Sequence, residues 1–379
     1  MIKSLYFLII TIIIPIFGYS QFQFNKIKEF QINSLYKVGI VDYFDSKNLY
    51  LAYINKLSKG TEIALINGKG EIILSKNLQG DGPEKFTTSM NSLGFSRGGD
   101  IWVLTTFELL LYDQNLKLKE RIKFEPNTQV YIANRTYPFQ YFYKNNNPSN
   151  FHFFLNPSGV HNFLGFRQFK NKYLVNLYDS HSKSNYSLAP IIKREIGQKL
   201  NENMSDVYFP IYTVDKNESP QLYLTSSFDS EITVFDLNNG TEIKNIKIKH
   251  GAFDFLKGTN LDISNLPSRE NITLGAKNHN IFKLGNELII LEYIQEIPYG
   301  TYEQKIAEDP TYHHFQDPNY HRLILFEGNT QVSGDIKLPV NGKLMTALPD
   351  NRLLFQLIDP DIEEDFIRFG IYELVKSSD

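Results

Sequence analysis

The chain has 379 residues, of which 21% are charged and 14% are aromatic, and its formal net charge at pH 7 is −3. This slightly acidic balance argues against nucleic acid as a partner, because proteins that bind nucleic acids usually carry an excess of basic residues. Cysteine is absent, which excludes disulfides, cysteine metal ligands and a thiol nucleophile. The abundance of phenylalanine and tyrosine, 29 and 23 residues, favours strands over helices.

The first 20 residues have the features of a secretory signal peptide. Lys3 supplies a positive start, an apolar run covers residues 5–17, and the small residues Gly18 and Ser20 follow it. The run is short for a membrane span, so we predict cleavage after Ser20 rather than an N-terminal anchor. No later stretch is apolar enough to span a membrane. An exported chain without cysteine fits the periplasm or cell surface of a Gram-negative-type bacterium.

Short strands separated by turns begin directly after this segment. The pattern of apolar residues predicts a lone strand over residues 26–33. It predicts four more strands over residues 37–79, with a hairpin turn at Asn67–Gly70. Residues 80–125 repeat the four-strand pattern, with turns at Gly98-Gly99 and Gln114-Asn115. Four short strands with no helix between them are typical of one blade of a β-propeller.

The same pattern recurs along the rest of the chain. Six apolar runs have the character of the second strand of a blade, and they are marked by Leu49, Ile101, Tyr173, Leu222, Leu288 and Leu353. We therefore predict an all-β fold, a six-bladed β-propeller with four-stranded blades. The last unit, from Lys343 onward, contains only three strands, so we expect the strand over 26–33 to complete it and to close the ring.

The alternatives to a closed ring are an open sandwich or two smaller β domains. No linker rich in Pro, Ser and Gly divides residues 21–379, and such linkers usually mark domain boundaries. The sequence therefore predicts a signal peptide over 1–20 and a single propeller domain over 21–379, which we expect to be a monomer.

Residues 80–124 carry a more specific resemblance. The segment GDGPEKF is followed by a strand, then by GGDIWVL, then by Leu-Tyr-Asp. This succession resembles the repeat of NHL and TolB-like six-bladed propellers, although Glu84 and Lys85 stand where that repeat has Gly-Glu. The leader and the many Asn, Lys, Phe and Tyr residues resemble secreted propellers of unknown function common in Bacteroidota. The resemblance implies a binding scaffold and carries over no catalytic residues.

The long segments of the chain are predicted to lie on one face of the propeller. Loops between second and third strands lie at the same end of a blade as the connections between blades. The long segments that fall mostly on these loops are residues 124–138, 189–207, 249–279, 295–320 and 359–366. Because loops carry function on such scaffolds, we expect ligand contact on this face, above the central channel.

One of these loops holds three of the eight histidines within nine positions. They are His313, His314 and His321, and Asp317 lies among them. Imidazole and carboxylate groups bind metals and serve as acid–base catalysts, so we consider these four as candidate ligand-binding residues. No motif such as H-E-x-x-H is present, and a solvated polar loop is the simpler explanation.

A second loop is crowded with carboxylates. Asp359, Asp361 and Glu363 have the spacing with which a calcium loop begins, and they are the candidate metal ligands. The glycine and the final glutamate of such a loop are missing, so a solvated acidic loop is the simpler explanation. Apart from a divalent metal in one of these two loops, we expect no cofactor.

Two further features have both a functional and a structural explanation. Tyr137 and Tyr141 belong to an aromatic-rich stretch that could stack on sugars or grip a peptide, although packing between blades is the simpler explanation. A glycine-rich segment with Gly80, Gly82 and Pro83 resembles a phosphate-binding loop, but no helix follows it. We predict that these three residues form a structural turn with positive φ angles.

The sequence leaves three hypotheses for function. The first is an exported, non-enzymatic scaffold that binds a protein or saccharide ligand on its loop-rich face. The second is a periplasmic hydrolase or lyase with a His/carboxylate site at the channel mouth. No catalytic signature such as G-x-S-x-G is present, but catalytic groups in propellers come from different blades. The third is a purely structural surface protein without a pocket at the channel mouth.

Overall fold

The structure is a computed structural model that describes residues 22–56, 60–125, 136–155, 173–195, 209–254, 274–285, 287–359 and 365–376. The predicted signal peptide lies outside the described residues. The described chain forms six sheets, each built around antiparallel strands, and these sheets are the blades of an all-β, six-bladed propeller.

The blades are numbered in chain order. Blade 1 contains β2 (Lys37–Phe44), β3 (Leu49–Asn55), β4 (Thr61–Asn67) and β5 (Ile72–Lys76). Blade 2 contains β6 (Met90–Phe95), β7 (Ile101–Thr105), β8 (Glu108–Tyr112), β9 (Leu118–Lys123) and a short fifth strand, β10 (Tyr137–Pro138). Blade 3 contains β11 (Tyr141–Tyr143), β12 (Phe151–Phe154), β13 (Tyr173–Asp179) and β14 (Ser184–Pro190).

The second half of the chain forms the other three blades. Blade 4 contains β15 (Pro210–Asp215), β16 (Gln221–Ser226), β17 (Glu231–Asp236) and β18 (Thr241–Lys247). Blade 5 contains β19 (Lys277–Lys283), β20 (Leu288–Ile294), β21 (His321–Glu327), β22 (Thr330–Gln331) and β23 (Ile336–Lys337). Blade 6 contains β24 (Gly342–Leu348), β25 (Arg352–Leu357), β26 (Ile367–Lys376) and β1 (Phe22–Ile32).

The second strand of a blade is the most apolar and the most deeply buried. Every residue of β7 and of β20 is buried. Both faces of such a strand pack against neighbouring blades, which is why these segments are continuous apolar runs rather than alternating ones. The core is therefore a series of layers between blades, such as the cluster that joins Leu51 and Ile63 of blade 1 to Leu93 and Val103 of blade 2.

The first described strand lies at the outer edge of the last blade. β1 pairs antiparallel with β26, from Phe22 opposite Lys376 to Ile32 opposite Ile367. The ring of Phe30 stacks on Phe369 of blade 6 at 5.5 Å and on Tyr50 of blade 1 at 5.1 Å. The two ends of the described chain therefore share one sheet, and that sheet packs against blade 1.

Blade 3 differs from the sequence-based assignment. Tyr173 begins the third strand of this blade, and the second strand is the aromatic segment Phe151–Phe154. The turn that precedes it uses Asn145 and Asn146 with φ values of 54° and 52°, whereas the corresponding turns of blades 2 and 5 contain glycine. Two elements were also not expected: β10, which pairs parallel with β6, and helix α1 (Tyr299–Glu308).

The order of the strands defines the two ends of the central channel. In each blade the chain starts at the channel and moves outward, so the inner strands run in the same direction. The connections between blades and those between second and third strands lie where the inner strands begin, and we call this the loop-rich end. The short turns, such as Asn67–Gly70 between β4 and β5, lie at the opposite end, which we call the hairpin end.

Candidate functional site

The central channel contains a cavity of about 1300 Å³ that could hold a ligand. Its walls are the inner strands of blades 1, 4, 5 and 6 together with residues 136–140. Residues 136–140 lie between β9 of blade 2 and β11 of blade 3 in sequence, and they form hydrogen bonds with both blade 2 and blade 4. Phe139 donates its backbone N–H to the carbonyl of Leu93 in blade 2 at 2.9 Å, and Gln140 accepts from the backbone N–H of Val214 in blade 4 at 3.3 Å.

A carboxylate–imidazole pair lies in the channel wall near the loop-rich end. His321, the first residue of β21, places Nδ1 2.6 Å from Oε1 of Glu292 on β20. Glu292 is 1% exposed and also accepts a hydrogen bond from the side chain of Asn280 on the inner strand β19. The ring of His279 lies 5.7 Å from that of His321. The pair is thus held by three strands of blade 5.

Both ring nitrogens of His321 face acceptor oxygens. Nε2 lies 3.2 Å from the carbonyl of Phe315, on the far side of the ring from Glu292. Burial by itself raises the pKa of Glu292, but the hydrogen bond from His321 and the charge of His279 bring it below its usual value. Glu292 and His321 therefore form a buried pair, in which each ring nitrogen of His321 lies within hydrogen-bond distance of a protein oxygen.

A second pair of opposite charges lies toward the hairpin end. The Asp42 carboxylate accepts the backbone N–H groups of Tyr43 at 2.8 Å and of Phe95, in the next blade, at 2.7 Å. Lys216 interacts with Asp42, and its Nζ lies 4.2 Å from the centre of the Tyr141 ring. Burial raises the pKa of Asp42 and lowers that of Lys216. Gly94 leaves room here, because a Cβ on it would lie 3.3 Å from Oδ2 of Asp42.

The four candidate ligand-binding residues of the histidine loop do not form one site. His321 lines the channel. His313 is exposed to solvent, whereas His314 is completely buried beneath the loop. Asp317 accepts hydrogen bonds from Lys305 of α1 and from the hydroxyl of Tyr312, both at 3.0 Å, so it stabilises the loop itself. These side chains are close in sequence but point to different parts of the structure.

The buried position of His314 predicts how the stability of the protein changes at acidic pH. Neither of its ring nitrogens has a hydrogen-bond partner among the described residues, and burial lowers its pKa to about 3. Since the unfolded chain takes up a proton near pH 6.5 and the folded chain does not, His314 lowers stability as the pH falls below that value. The free energy of unfolding of the wild type should fall between pH 7.5 and pH 5. In His314→Phe this fall should be smaller by up to about 2 kcal/mol.

Urea unfolding followed by the fluorescence of the single tryptophan measures this effect. Trp102 is buried and stacks on Phe151 of blade 3 at 4.9 Å, so its emission reports on packing between blades 2 and 3. The matched control is His181→Phe, which removes an exposed histidine and should keep the wild-type pH dependence. An unchanged loss of stability in His314→Phe would contradict the burial of an unpartnered ring.

The two candidate tyrosines have different positions. Tyr137 lies on β10 and lines the channel. Tyr141 is 1% exposed and packs in the aromatic layer between blades 2 and 3, against Phe139 and Phe151. Only Tyr137 is therefore placed to contact a ligand in the channel.

The candidate metal ligands are described only in part. Asp359 lies 3.7 Å from the guanidinium of Arg368, while Asp361 and Glu363 lie outside the described residues. Within the described ranges, no three His, Asp or Glu side chains lie close enough together to hold a metal ion.

The Gly80–Pro83 segment is fastened to the outer strands of blade 2. Gly80 and Gly82 have φ values of 130° and 141°, which side chains with a Cβ rarely adopt. Arg121 donates to the carbonyls of Pro83 at 3.0 Å and Lys85 at 2.8 Å. These contacts hold the segment away from the channel, against β9.

The lysines of the channel were not identified from the sequence. Four of them line it: Lys37, Lys216, Lys283 and Lys343. They lie on or beside the inner strands of four blades, and no local motif connects them. The only sequence signal was a polar residue within an otherwise apolar inner strand, which also occurs on solvent-facing strands.

Fold and channel together define the class: this chain is an all-β, six-bladed propeller with antiparallel blades. It is similar to a member of the DUF4221 family from Bacteroides vulgatus, with a TM-score of 0.66 and 10% identity over 95% of this chain and 100% of the other. It is also similar to a candidate exported protein from Bacteroides fragilis, with a TM-score of 0.54 and 10% identity over 95% and 97%. Both neighbours agree with the resemblance to propellers of Bacteroidota.

The sequence comparisons gave no match: no family model and no curated protein matches this chain. The NHL or TolB-like type therefore stays a prediction. In the described part of the chain, no helix has the length and apolar character needed to cross a membrane.

Proposed function

We propose that this chain is an exported, non-enzymatic binding protein that receives a saccharide or a segment of a protein in its central channel, from the loop-rich end. The observation that carries the proposal is the channel itself, with about 1300 Å³ of space. Ligand sites for small molecules usually occupy roughly 300 to 1,000 Å³, so the channel has room for an oligosaccharide or a short peptide.

The composition of the channel wall supports the same proposal. Tyr53, Tyr137 and Tyr223 line it together with polar and charged side chains of several blades. Tyrosine offers an apolar ring for sugar or side-chain packing and a hydroxyl for hydrogen bonding. Export is supported by the signal-like pattern of residues 1–20, and we place the protein in the periplasm or at the cell surface.

Blocking the loop-rich mouth tests this function. Gln316 is exposed and lines the mouth, so Gln316→Trp should fill it without disturbing the core. Ser149→Trp places the same residue on an exposed turn outside the channel and is the control. Saturation-transfer NMR with neutral and acidic oligosaccharides and short peptides should show saturable binding that is lost only in Gln316→Trp. Binding that is equal in both variants, or no binding of any probe, would contradict the proposal.

The second candidate function is a hydrolase or lyase, favoured by the Glu292–His321 pair in the channel wall. A general base needs a free lone pair within reach of the substrate. Because both ring nitrogens of His321 lie within hydrogen-bond distance of protein oxygens, Oε1 of Glu292 and the carbonyl of Phe315, the geometry supports a structural role. We expect the probes above to be recovered unchanged after long incubation. Cleavage that Glu292→Gln abolishes while binding is kept would establish the enzyme instead.

A further inference from the structure

Some charged side chains of the channel wall have an oppositely charged neighbour, and others do not. Toward the hairpin end, Lys216 interacts with Asp42, and Lys283 with Asp215 and Glu287. Near the loop-rich end, Glu292 is compensated by His321. Lys37 and Lys343 differ from these two lysines, because no interaction of either ammonium group with a carboxylate is found among the described residues.

These two lysines lie next to each other because the ring closes between them. Lys37 begins β2, the inner strand of blade 1, and Lys343 is the second residue of β24, the inner strand of blade 6. The strands β2 and β24 are in contact and run in the same direction. Both side chains therefore lie at the loop-rich end, and both line the cavity.

The surroundings disfavour the positive charge of Lys343. Its side chain is half-buried, and both burial and the charge of Lys37 lower its pKa. A partly desolvated cation next to a like charge, with no carboxylate beside it among the described residues, costs free energy in the empty protein. Such an arrangement is typical of functional sites, where the missing counter-charge arrives with the ligand.

We propose that Lys37 and Lys343 form an anion subsite at the loop-rich end of the channel, and that the ligand carries a carboxylate, sulfate or similar group there. This inference rests on the proposed binding function and narrows its ligand to an anionic one. The nearby carboxylate of Glu292 is engaged by the side chains of His321 and Asn280. Two adjacent ammonium groups would attract an anion to this part of the channel.

Inorganic sulfate is a direct probe of the subsite. Thermal unfolding would be measured against sulfate concentration at constant ionic strength, for wild type, Lys37→Gln/Lys343→Gln, and the control Lys69→Gln/Lys123→Gln. The control removes two exposed lysines outside the channel. General stabilisation by sulfate affects all three proteins alike. We expect a saturable component in wild type and control, and at least about tenfold weaker binding in the channel variant, since charge-assisted contacts are the strong ones.

A second readout separates a binding role from a structural one. In buffer of low salt without sulfate, Lys343→Met should unfold at a higher temperature than wild type, because the variant removes an uncompensated charge. A lysine that stabilised the fold would give the opposite shift. No saturable sulfate binding in wild type, equal binding in the channel variant, or a lower midpoint for Lys343→Met would each overturn the anion subsite.

The source of the anion is distinguished by two further probes, trigalacturonate and a peptide of three glutamates. Binding of the first alone assigns an acidic saccharide, and binding of the second alone assigns an acidic protein segment. If a neutral oligosaccharide binds in the channel while sulfate and both acidic probes do not, the anion inference fails and the proposed binding function stands. If Gln316→Trp binds every probe as wild type does, the proposed function fails as well.

Discussion

Deletion of residues 22–32 is expected to leave a chain that does not accumulate as a soluble monomer. These residues form β1, whose loss would expose the whole length of β26 as an unpaired edge. Exposed edges pair with other chains and promote aggregation. The deletion also removes Phe30 and Ile32, which are 7% and 0% exposed in the layer between blades 6 and 1. Soluble yield and size-exclusion elution measure the effect.

Supplying the strand as a peptide provides the control for this deletion. A peptide with the sequence of residues 22–32, present during refolding, should restore a soluble monomer by pairing with β26. The same peptide with Phe30→Ala should restore it poorly, because it loses the aromatic contacts to Tyr50 and Phe369. A deletion variant that is soluble and unfolds at the wild-type temperature would show that β1 does not hold the ring closed.

Asp229→Ala is expected to destabilise the protein by about 3–5 kcal/mol, the usual cost of removing one partner of a buried ion pair. Asp229 is 1% exposed and accepts a hydrogen bond from Nε of Arg194 at 2.6 Å. Arg194 follows blade 3, whereas Asp229 lies in the turn between β16 and β17 of blade 4. The Asp229 carbonyl also accepts from the side chain of Asn278 in blade 5 at 2.9 Å. This turn thus joins three blades.

Urea unfolding of Asp229→Ala, followed by Trp102 fluorescence, gives the free energy of unfolding. The matched control is Asp350→Asn, which removes an exposed carboxylate 3.2 Å from Arg352. Exposed pairs contribute little, so the control should unfold like wild type. Equal effects of the two substitutions would mean that the Arg194–Asp229 pair does not connect the blades.

The propeller fold was predictable from the sequence because each blade contains its own signals. Apolar second strands such as Ile101–Thr105 are buried on both faces, and turns such as Asn67–Gly70 separate the strands. Blade 3 was assigned wrongly at Tyr173, which begins its third strand, because the second strand is the short aromatic segment Phe151–Phe154. Helix α1 lies within a long loop, where no sequence repeat from the other blades indicates its presence.

The site was much less predictable, because the channel gathers residues that are distant in sequence. Lys37 and Lys343 come from opposite ends of the chain and become neighbours only through closure of the ring. Conversely, His313, His314 and His321 are close in sequence, but one is exposed, one is buried under its loop and one lies in the channel wall. Of the candidate ligand-binding residues, His321 and Tyr137 line the channel.

The most direct measurement of the central claim is a crystal structure of the protein with the acidic probe that binds it most tightly. We expect electron density for the probe inside the channel, with its anionic group between the ammonium groups of Lys37 and Lys343. Density for the probe only on the outer faces of the blades, or at the hairpin end beside Lys216 and Lys283, would contradict the account.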